Sequence, residues 1–241
     1  MKYIILVAGR GTRISRSVGG IAKCLLEIHP GKKLIVNTLE KLLDHGVSPH
    51  EIVVVTGYQA GRIAHNISNF GVNIVTNPFF DITNSIASFW FARKHIDGDF
   101  IALNGDTYFE PEILDVLKES PEELTMLCDS SRIEDADYRF KWEDGKLLKY
   151  GKDLPLEETT GEYVGMAKVS GFGVTKFKNK LTELIASQQH GKWWEDAIYD
   201  LVADGYEVHV KDIKGSFWAE VDYIEDYQRI LNHVAKKNKC L

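Results

Sequence analysis

The sequence predicts an α/β protein: a mostly parallel central sheet between helices, in a Rossmann-like three-layer α/β/α arrangement. Short apolar runs typical of strands alternate with segments in which apolar residues recur at helical spacing. The predicted strands of the first half are 2–7, 51–56, 72–75 and 99–103, and the helices are 34–45, 61–69 and 85–95. Such alternation is typical of parallel sheets whose crossover connections are helices.

The helix predicted at 34–45 is the clearest of these elements. Leu34, Leu39, Leu42 and Leu43 give it one apolar face, and Gly46 stands where a helix commonly ends. After residue 106 a helix is predicted at 110–118 with Pro111 at its start, followed by a strand at 124–128.

The segment 130–160 interrupts the alternation and is rich in charged and turn-forming residues. Strands at 138–142 and 146–150 flank Asp144-Gly145, a strong hairpin turn pair. We therefore predict a small excursion at the edge of the sheet, acting as a lid, a dimer contact or both.

The remaining elements continue the α/β pattern. Strands are predicted at 162–171, 206–211 and 217–221, and helices at 177–189, 194–203 and from 223 onward. Since the chain contains no repeat or low-complexity linker, we expect a single domain over 1–241, with a lid or edge insertion at 130–160.

Composition favours a small ligand over a polymer. The formal net charge is -6 and the chain is 44% hydrophobic and 27% charged, which is ordinary for a globular protein. Because a nucleic-acid footprint needs a basic surface, we expect no nucleic-acid partner.

Cysteine usage and hydropathy indicate a cytoplasmic protein. Cys24, Cys128 and Cys240 are too few and too far apart for a disulfide framework or a paired metal motif. Gly9 to Arg13 interrupt the first apolar run, and no other run approaches the ~20 residues of a membrane span. We expect no membrane association.

The first loop has the chemistry of a phosphate site. An apolar strand, 3–7, opens into Ala8-Gly9-Arg10-Gly11-Thr12-Arg13, and Lys23 follows a second glycine pair. Glycines let backbone N–H groups approach a polyphosphate, and Arg13 and Lys23 supply positive charge. The loop has neither the Gly-Lys-Ser/Thr of a Walker motif nor the third glycine of a dinucleotide fingerprint.

Three carboxylates follow or occupy predicted strands. Asp106 comes after the strand 99–103, at the end of a parallel strand where α/β sheets bind ligands. Glu220 and Asp222 are two residues apart and share one face of the strand 217–221. Together these acids could hold Mg²⁺ through oxygen ligands, whereas either aspartate alone is more typical of a helix cap or turn.

At these residues the chain resembles the nucleotidyltransferases of the sugar-nucleotide pyrophosphorylase type. Their opening motif, Leu-Ala-Ala-Gly-x-Gly-x-Arg followed by Pro-Lys, corresponds here to 6–13 and to Ala22-Lys23. The resemblance implies the nucleotide-diphospho-sugar transferase fold, catalytic roles for Arg13 and Lys23, and metal binding by Asp106 and Asp222, with Glu220 beside them. It also implies nucleotide binding by the loop residues Leu6, Ala8, Gly9, Gly11 and Thr12.

Two middle segments resemble bacterial phosphocholine and phosphonate cytidylyltransferases. Phe80-Asp81-Ile82-Thr83-Asn84-Ser85 implies that Asn84 and Ser85 bind the nucleotide, although either could simply cap the next helix. Glu162-Tyr163-Val164-Gly165-Met166-Ala167-Lys168 implies that Lys168 binds the anionic group of the acceptor. A strand lysine facing solvent is the alternative.

A further segment could hold an alkylammonium group. Trp193, Trp194, Glu195 and Asp196 combine aromatic rings with carboxylates, which bind such cations through cation–π contact and charge pairing. Anchoring of the helix in the core is an equally good account of the paired tryptophans.

The resemblance thus implies an Mg²⁺-dependent cytidylyltransferase. It would transfer CMP from CTP to a small phosphorylated or phosphonate acceptor, such as phosphocholine or 2-aminoethylphosphonate, and release pyrophosphate. A sugar-1-phosphate uridylyl- or thymidylyltransferase and a non-catalytic nucleotide-binding regulatory subunit are the alternatives. A homodimer is compatible with the sequence.

Overall fold

A computed structural model of the chain describes residues 1–15 and 17–239 and contains one large sheet of nine strands. The strands are β1 (Lys2–Val7), β2 (Glu27–His29), β3 (Lys32–Lys33), β4 (Ile52–Thr56), β5 (Asn73–Thr76), β6 (Phe100–Asn104), β7 (Thr107–Phe109), β8 (Leu124–Asp129), β9 (Arg139–Glu143), β10 (Lys146–Gly151), β11 (Gly161–Val169), β12 (His209–Asp212) and β13 (Trp218–Glu220). The helices are α1 (Thr12–Ser15), α2 (Leu34–Asp44), α3 (Ala60–Ile67), α4 (Ser85–Ala92), α5 (Glu112–Glu119), α6 (Gly171–Ala186), α7 (Asp196–Ala203) and α8 (Ile224–Lys239).

The first half of the sheet is parallel, as predicted. Its strands lie in the order β5-β4-β1-β6, and Ile5 of β1 is in register with Val54 and Leu103 on its two neighbours. Alternate residues of β1 enter different cores: Ile4 packs in the core with α4, α6 and α7, and Ile5 in the core with α2, α3 and α5. Helices therefore cover both faces of the sheet.

The second half of the sheet is mixed, which corrects the prediction of a mostly parallel sheet. The large sheet continues β6-β11-β8-β12-β10-β9, and β11 runs antiparallel to both β6 and β8. The β9–β10 hairpin precedes β11, so the chain enters β11 against the direction of the earlier strands. Helical crossovers, which would enforce parallel pairing, are absent between the described strands β8 and β11.

The segment 130–160 lies at the end of the sheet and folds back onto it. It forms the predicted hairpin, with β9 at 139–143 and β10 at 146–151. β10 pairs with β12, while β9 returns to pair with β11 through Phe140 and Gly161. The hairpin thereby connects two strands that are themselves separated by β8.

Several short elements were not predicted. These are β2, β3 and β7, which lie in two small sheets outside the main one: β2 pairs with β3, and β7 pairs with β13, the strand predicted at 217–221. The pairing of β7 and β13 packs against α8 around Tyr108, Ala219 and Ile230. Helix α6 also begins at Gly171, directly after β11, and not at residue 177 as predicted.

Two further observations concern the chain as a whole. Within the described residues, no helix is both long and apolar enough to cross a bilayer. Cys24 and Cys128 are buried free thiols, and burial raises the pKa of both well above the ordinary value. Cys240 lies outside the described residues.

Candidate active site

A cleft of about 310 Å³ opens where β1 and β6 end, at the carboxyl edge of the parallel strands. That is the edge at which open α/β sheets bind ligands. The predicted residues that line the cleft are Leu6, Ala8, Gly9, Gly11, Arg13, Lys23, Asn84, Ser85, Asp106, Trp193, Glu195, Glu220 and Asp222. Sites that lie far apart in the sequence therefore meet in one cavity.

The glycine loop is shaped by its contact with Lys23. Gly11 has φ +62°, a left-handed conformation that favours glycine. A Cβ on Gly11 would lie 2.6 Å from Cγ of Lys23 and 2.8 Å from its Cε. The lysine stem thus runs directly over the Gly11 backbone, and a larger residue at this position would have to displace it.

Lys23 joins the two predicted metal-binding aspartates. Its Nζ donates to Oδ2 of Asp106 at 2.9 Å and to Oδ1 of Asp222 at 2.6 Å. Burial alone would lower the pKa of Lys23, but the carboxylates of Asp106 and Asp222 raise it above the ordinary value. Lys23 is therefore a fixed positive charge between the ends of β6 and β13.

Glu220 completes a group of three carboxylates. Oxygens of Asp106, Glu220 and Asp222 lie within 4.8 Å of one another. Burial raises the pKa of Glu220 well above its ordinary value, and the carboxylates of Asp106 and Asp222 raise it further. The raised pKa favours the protonated form of Glu220, and a divalent cation held among the three acids would favour its ionised form. Hard oxygen donors are the ligands that Mg²⁺ prefers, so the donor set fits this ion.

Arg13 extends this network towards the segment 130–160. Its guanidinium pairs with the Asp222 carboxylate, and its Nη1 lies 3.9 Å from Oδ2 of Asp137. Asp137 in turn accepts a hydrogen bond from Lys152 Nζ at 2.7 Å. Asp137 and Lys152 both line the cleft, and neither was identified from the sequence.

Ala22, where the resembling family has proline, keeps a proline-like backbone. Its φ of -59° and ψ of 135° are values that proline would adopt. The N–H of Ala22, which proline lacks, donates to Oε1 of Gln59 at 3.2 Å, and Nε2 of Gln59 donates to the Gly20 carbonyl at 2.8 Å. The Gln59 side chain thus holds the loop that leads to Lys23.

Asn84 and Ser85 line the cleft and also begin α4. The Asn84 side chain caps the helix by accepting from Ser85 N–H at 2.8 Å, which is the simple alternative stated for this residue. Ser85 Oγ accepts from the Trp194 N–H at 2.9 Å. Both residues therefore have structural partners in addition to their position in the cavity.

Asn104 orients Glu195, a link that was not predicted. The indole Nε1 of Trp194 donates to Oδ1 of Asn104 at 2.9 Å, which directs the Asn104 amide Nδ2 to Oε1 of Glu195 at 3.1 Å. Burial raises the pKa of Glu195 to about 8, although the hydrogen bond from Asn104 acts in the opposite direction. Asn104 is the last residue of β6, and Asp106 lies two residues further along, so the end of β6 and the turn after it both contribute to the cleft.

The wall around Glu195 is aromatic. Tyr138, Tyr163, Tyr199 and Trp193 all line the cleft. Trp193 is 39% exposed, and Lys152 Nζ lies 5.7 Å from the centre of its ring. Lys152 is thus the cation on this side of the cavity, as Arg13 and Lys23 are on the other.

Four predicted site residues lie elsewhere. Lys168 is buried in β11, and its ammonium donates to the carbonyl of Ser120, so its position does not support acceptor binding. Trp194 is fully buried and stacks on Phe89 in the core, which favours the anchoring interpretation.

Asp196 and Thr12 are the other two. The Asp196 carboxylate accepts from the Trp193 N–H at 2.7 Å at the start of α7 and is outside the cavity lining. Thr12 is exposed at the start of α1, next to the lining residues Gly11 and Arg13. Of the acceptor residues predicted from the sequence, Trp193 and Glu195 line the cleft.

Residues 3–140 match the family model of the MobA-like NTP transferase domain. Among curated relatives, the CMP-5'-(3-aminopropyl)phosphonate synthase of Streptomyces rubellomurinus is 26% identical over 92% of this chain and 37% of its own length. The choline-phosphate cytidylyltransferase of Streptococcus pneumoniae is 22% identical over 99% of this chain and 100% of its own length. The chain therefore spans little more than a third of the first relative and all of the second.

Among solved structures, the CTP:phosphocholine cytidylyltransferase of Streptococcus pneumoniae superposes with a TM-score of 0.78. The match covers 97% of this chain and 98% of that one at 18% identity, and at this identity it shows the fold alone. The fold is the α/β fold of nucleotide-diphospho-sugar transferases, as expected. The matches also confirm the resemblance to nucleotidyltransferases, cytidylyltransferases among them.

Proposed function

Because the chain belongs to the MobA-like NTP transferase family, we propose that it transfers CMP from CTP to a small phosphorylated or phosphonate acceptor. An oxygen of the acceptor's anionic group attacks the α-phosphorus of CTP. A new P–O bond forms, the bond from the α-phosphorus to the bridging oxygen breaks, and pyrophosphate leaves with the electron pair. Two relatives whose names specify a phosphonate or choline phosphate support this choice of acceptor.

The observation that carries the proposal is the position of Lys23, which lies between Asp106 and Asp222 and beside the glycine loop. A buried ammonium beside backbone N–H groups stabilises the charge that accumulates on a phosphoryl group in the transition state. Arg13 adds a second cation on the same side of the cleft. An anionic acceptor oxygen needs little activation, so alignment and electrostatic stabilisation supply most of the rate.

Mg²⁺ would be held by Asp106, Asp222 and Glu220, whose carboxylates converge in the cleft. When bound, the ion would neutralise phosphate charge and orient the reacting groups. The ammonium of Lys23 now balances two of these carboxylates, and phosphates entering the cleft would draw it away from them.

The nucleotide would lie along the glycine loop, with Asn84 and Ser85 near its base or ribose. The acceptor would occupy the other side of the cleft. Lys152 would bind its phosphate or phosphonate in the role first assigned to Lys168, and Glu195, with Trp193 in the same wall of the cleft, would bind an amine by charge pairing. We propose that the enzyme works in the cytoplasm.

The proposal is tested by pyrophosphate release with CTP, UTP or dTTP, MgCl₂ and a panel of acceptors. CTP with an aminoalkyl phosphate or phosphonate should give the highest kcat/KM. Preference for UTP or dTTP with a sugar 1-phosphate would favour the alternative transferase.

Variants test the catalytic residues. Lys23→Ala and Asp106→Ala should each reduce release at least 100-fold, because the first removes a cation that stabilises the reacting phosphate and the second removes a carboxylate that would hold Mg²⁺. Lys141→Ala, on the charged surface of β9, is the control and should retain activity. Unchanged rates in both cleft variants would refute the mechanism, and no release with any nucleotide would favour a regulatory subunit.

A further inference from the structure

The aromatic residues around Glu195 mostly use their ring faces on one another. Tyr199 lies between two tyrosines, stacked on Tyr138 at 5.5 Å and on Tyr150 at 4.2 Å between ring centres. Tyr163 stacks on Phe140 at 5.2 Å. Tyr199, which lies between its two stacked partners, therefore presents the edge of its ring to the cleft and not a face.

This packing matters because cation–π binding uses ring faces. A trimethylammonium group has no N–H and depends on such contacts, so it needs several open faces around it. Trp193 is the most exposed ring of this wall, but Lys152 already places an ammonium 5.7 Å from its centre. The wall is thus a poor cage for a quaternary cation.

Hydrogen-bond acceptors, by contrast, are available at this end of the cleft. The Glu195 carboxylate is buried and held by Asn104, and a carboxylate can accept about four hydrogen bonds. The hydroxyl of Tyr163, a residue only 7% exposed, has no hydrogen-bond partner within residues 1–15 and 17–239. A carboxylate only accepts hydrogen bonds, whereas a phenol hydroxyl can both donate and accept. Because buried polar groups are normally paired, these two neighbouring groups favour a ligand that donates N–H to the carboxylate and also pairs with the phenol.

Resting on the proposed function, we infer that the acceptor carries a protonated primary amine, which binds at Glu195 and Tyr163, in preference to a trimethylammonium group. The amine takes no part in the covalent step and keeps its proton. Its three N–H donors satisfy the carboxylate and the phenol oxygen, while the anionic group of the same molecule reaches Lys152 and the reacting nucleotide. The substrate class is therefore an aminoalkyl phosphate or phosphonate.

Two matched acceptor pairs test the inference: phosphoethanolamine against phosphocholine, and 2-aminoethylphosphonate against its N-trimethyl derivative. Pyrophosphate release with CTP and MgCl₂ gives kcat/KM for each, and calorimetric titration gives the Kd of the four compounds without turnover. We expect the primary amine to be preferred about tenfold or more within each pair, because a site with buried acceptors discriminates against a ligand that lacks the donors.

The outcomes separate this inference from the proposed function. Binding that favours primary amines without pyrophosphate release would support the inference and overturn the proposed reaction. Release with the trimethylated compounds at equal or higher kcat/KM would support the reaction and overturn the inference. Absence of binding by all four compounds would also overturn it.

A tyrosine pair gives the matched variants. Tyr163→Phe keeps the ring and removes the unpaired hydroxyl, and it should reduce the preference for the primary amine severalfold while sparing the trimethylated acceptor. Tyr150 does not line the cavity, and its hydroxyl donates to the Tyr199 carbonyl. Tyr150→Phe removes this hydroxyl from the same aromatic cluster and should leave the preference unchanged. An unchanged preference in Tyr163→Phe would show that this hydroxyl does not recognise the amine.

Discussion

Gly11 lies directly beneath the side chain of Lys23, so closely that a Cβ would be 2.6 Å from the lysine Cγ. We expect Gly11→Ala to displace Lys23 from Asp106 and Asp222. A shift of about 1 Å in a group that stabilises the transition state can reduce the rate by roughly 100-fold. Steady-state pyrophosphate release measures this loss, and circular dichroism shows whether the fold persists.

Gly61→Ala is the control for this substitution. Gly61 lies in α3, and a Cβ there would meet no atom within 4 Å. Alanine in a helix should raise the free energy of unfolding by ~0.5–1 kcal/mol and leave kcat unchanged. Equal activity of Gly11→Ala and Gly61→Ala would contradict the contact with Lys23 as a requirement for catalysis.

Removal of the Lys23 ammonium should strengthen Mg²⁺ binding in the absence of nucleotide. In Lys23→Met, the carboxylates of Asp106 and Asp222 lose the ammonium between them, so a divalent ion no longer competes with it, while Arg13 still pairs with Asp222. We expect MgCl₂ to raise the Tm of this variant by several degrees more than that of the wild type, since a ligand of the native state stabilises it. NaCl at equal ionic strength is the control, and an equal Tm response of both proteins would contradict the competition.

Acceptor binding should depend on pH through Glu195. The pKa of this buried carboxyl is raised to about 8, so the group is largely protonated at pH 6 and ionises as the pH rises. A cationic acceptor needs the ionised form, so its kcat/KM should rise by up to about tenfold per pH unit below pH 8 and then level off. Glu195→Gln should remove this slope, and a slope that persists in Glu195→Gln would assign it to another group.

The Glu195 carboxyl also makes the free energy of unfolding depend on pH. This dependence has the opposite sign to that of acceptor binding. Its folded-state pKa of about 8 exceeds the ordinary value of 4.5, so the native protein binds more protons than the unfolded chain between these values. The free energy of unfolding contributed by Glu195 therefore falls as the pH rises through this window. Denaturant titrations of wild type and Glu195→Gln from pH 5 to 8 should diverge accordingly.

Gln59 should substitute functionally for the proline of the resembling family. Gln59→Ala removes the hydrogen bonds to Ala22 N–H and the Gly20 carbonyl, and we expect it to lower kcat severalfold by loosening the loop before Lys23. Because Ala22 already has a proline-like φ, Ala22→Pro should stabilise the Gln59→Ala protein by ~0.4–1 kcal/mol. In the wild type the same proline should help less, since it loses the bond to Gln59. A double-mutant cycle on unfolding free energies measures this difference, and strict additivity would contradict it.

Local patterns predicted the longer elements of the fold and failed where pairing is non-local. The alternation up to residue 103 and the Asp144-Gly145 turn were sufficient for the parallel strands and for the β9–β10 hairpin. β3 and β7 have two and three residues, too short for any periodic signal. The direction of β11 depends on the strands with which it pairs, and its own sequence does not identify those strands.

The same distinction explains the site. Gly11, Arg13 and Lys23 lie within one short stretch of sequence and can be recognised there as a motif. Lys152 follows β10 and lines the cleft from a hairpin that pairs non-locally with β11, so its sequence neighbours do not reveal its position. All nine residues of β11 are buried, so periodicity could not show that Lys168 points away from the cavity. Trp193 and Trp194 are neighbours with opposite surroundings, one in the cleft and one in the core.

The return of β9 to β11 decides how the acceptor side of the cleft can move. The backbone carbonyl of Tyr138 accepts from the Tyr163 N–H at 2.9 Å, and the carbonyl of Phe140 accepts from the Thr160 N–H at 2.7 Å. Backbone hydrogen bonds therefore hold this wall of the cleft at more than one position. If residues 138–140 moved away from β11 as a lid, these backbone hydrogen bonds would have to break at every turnover. We therefore expect slow amide exchange at Tyr163 and Thr160, and we expect access to the cleft to change through rotamers of the Lys152 and Arg13 side chains and not through movement of this backbone.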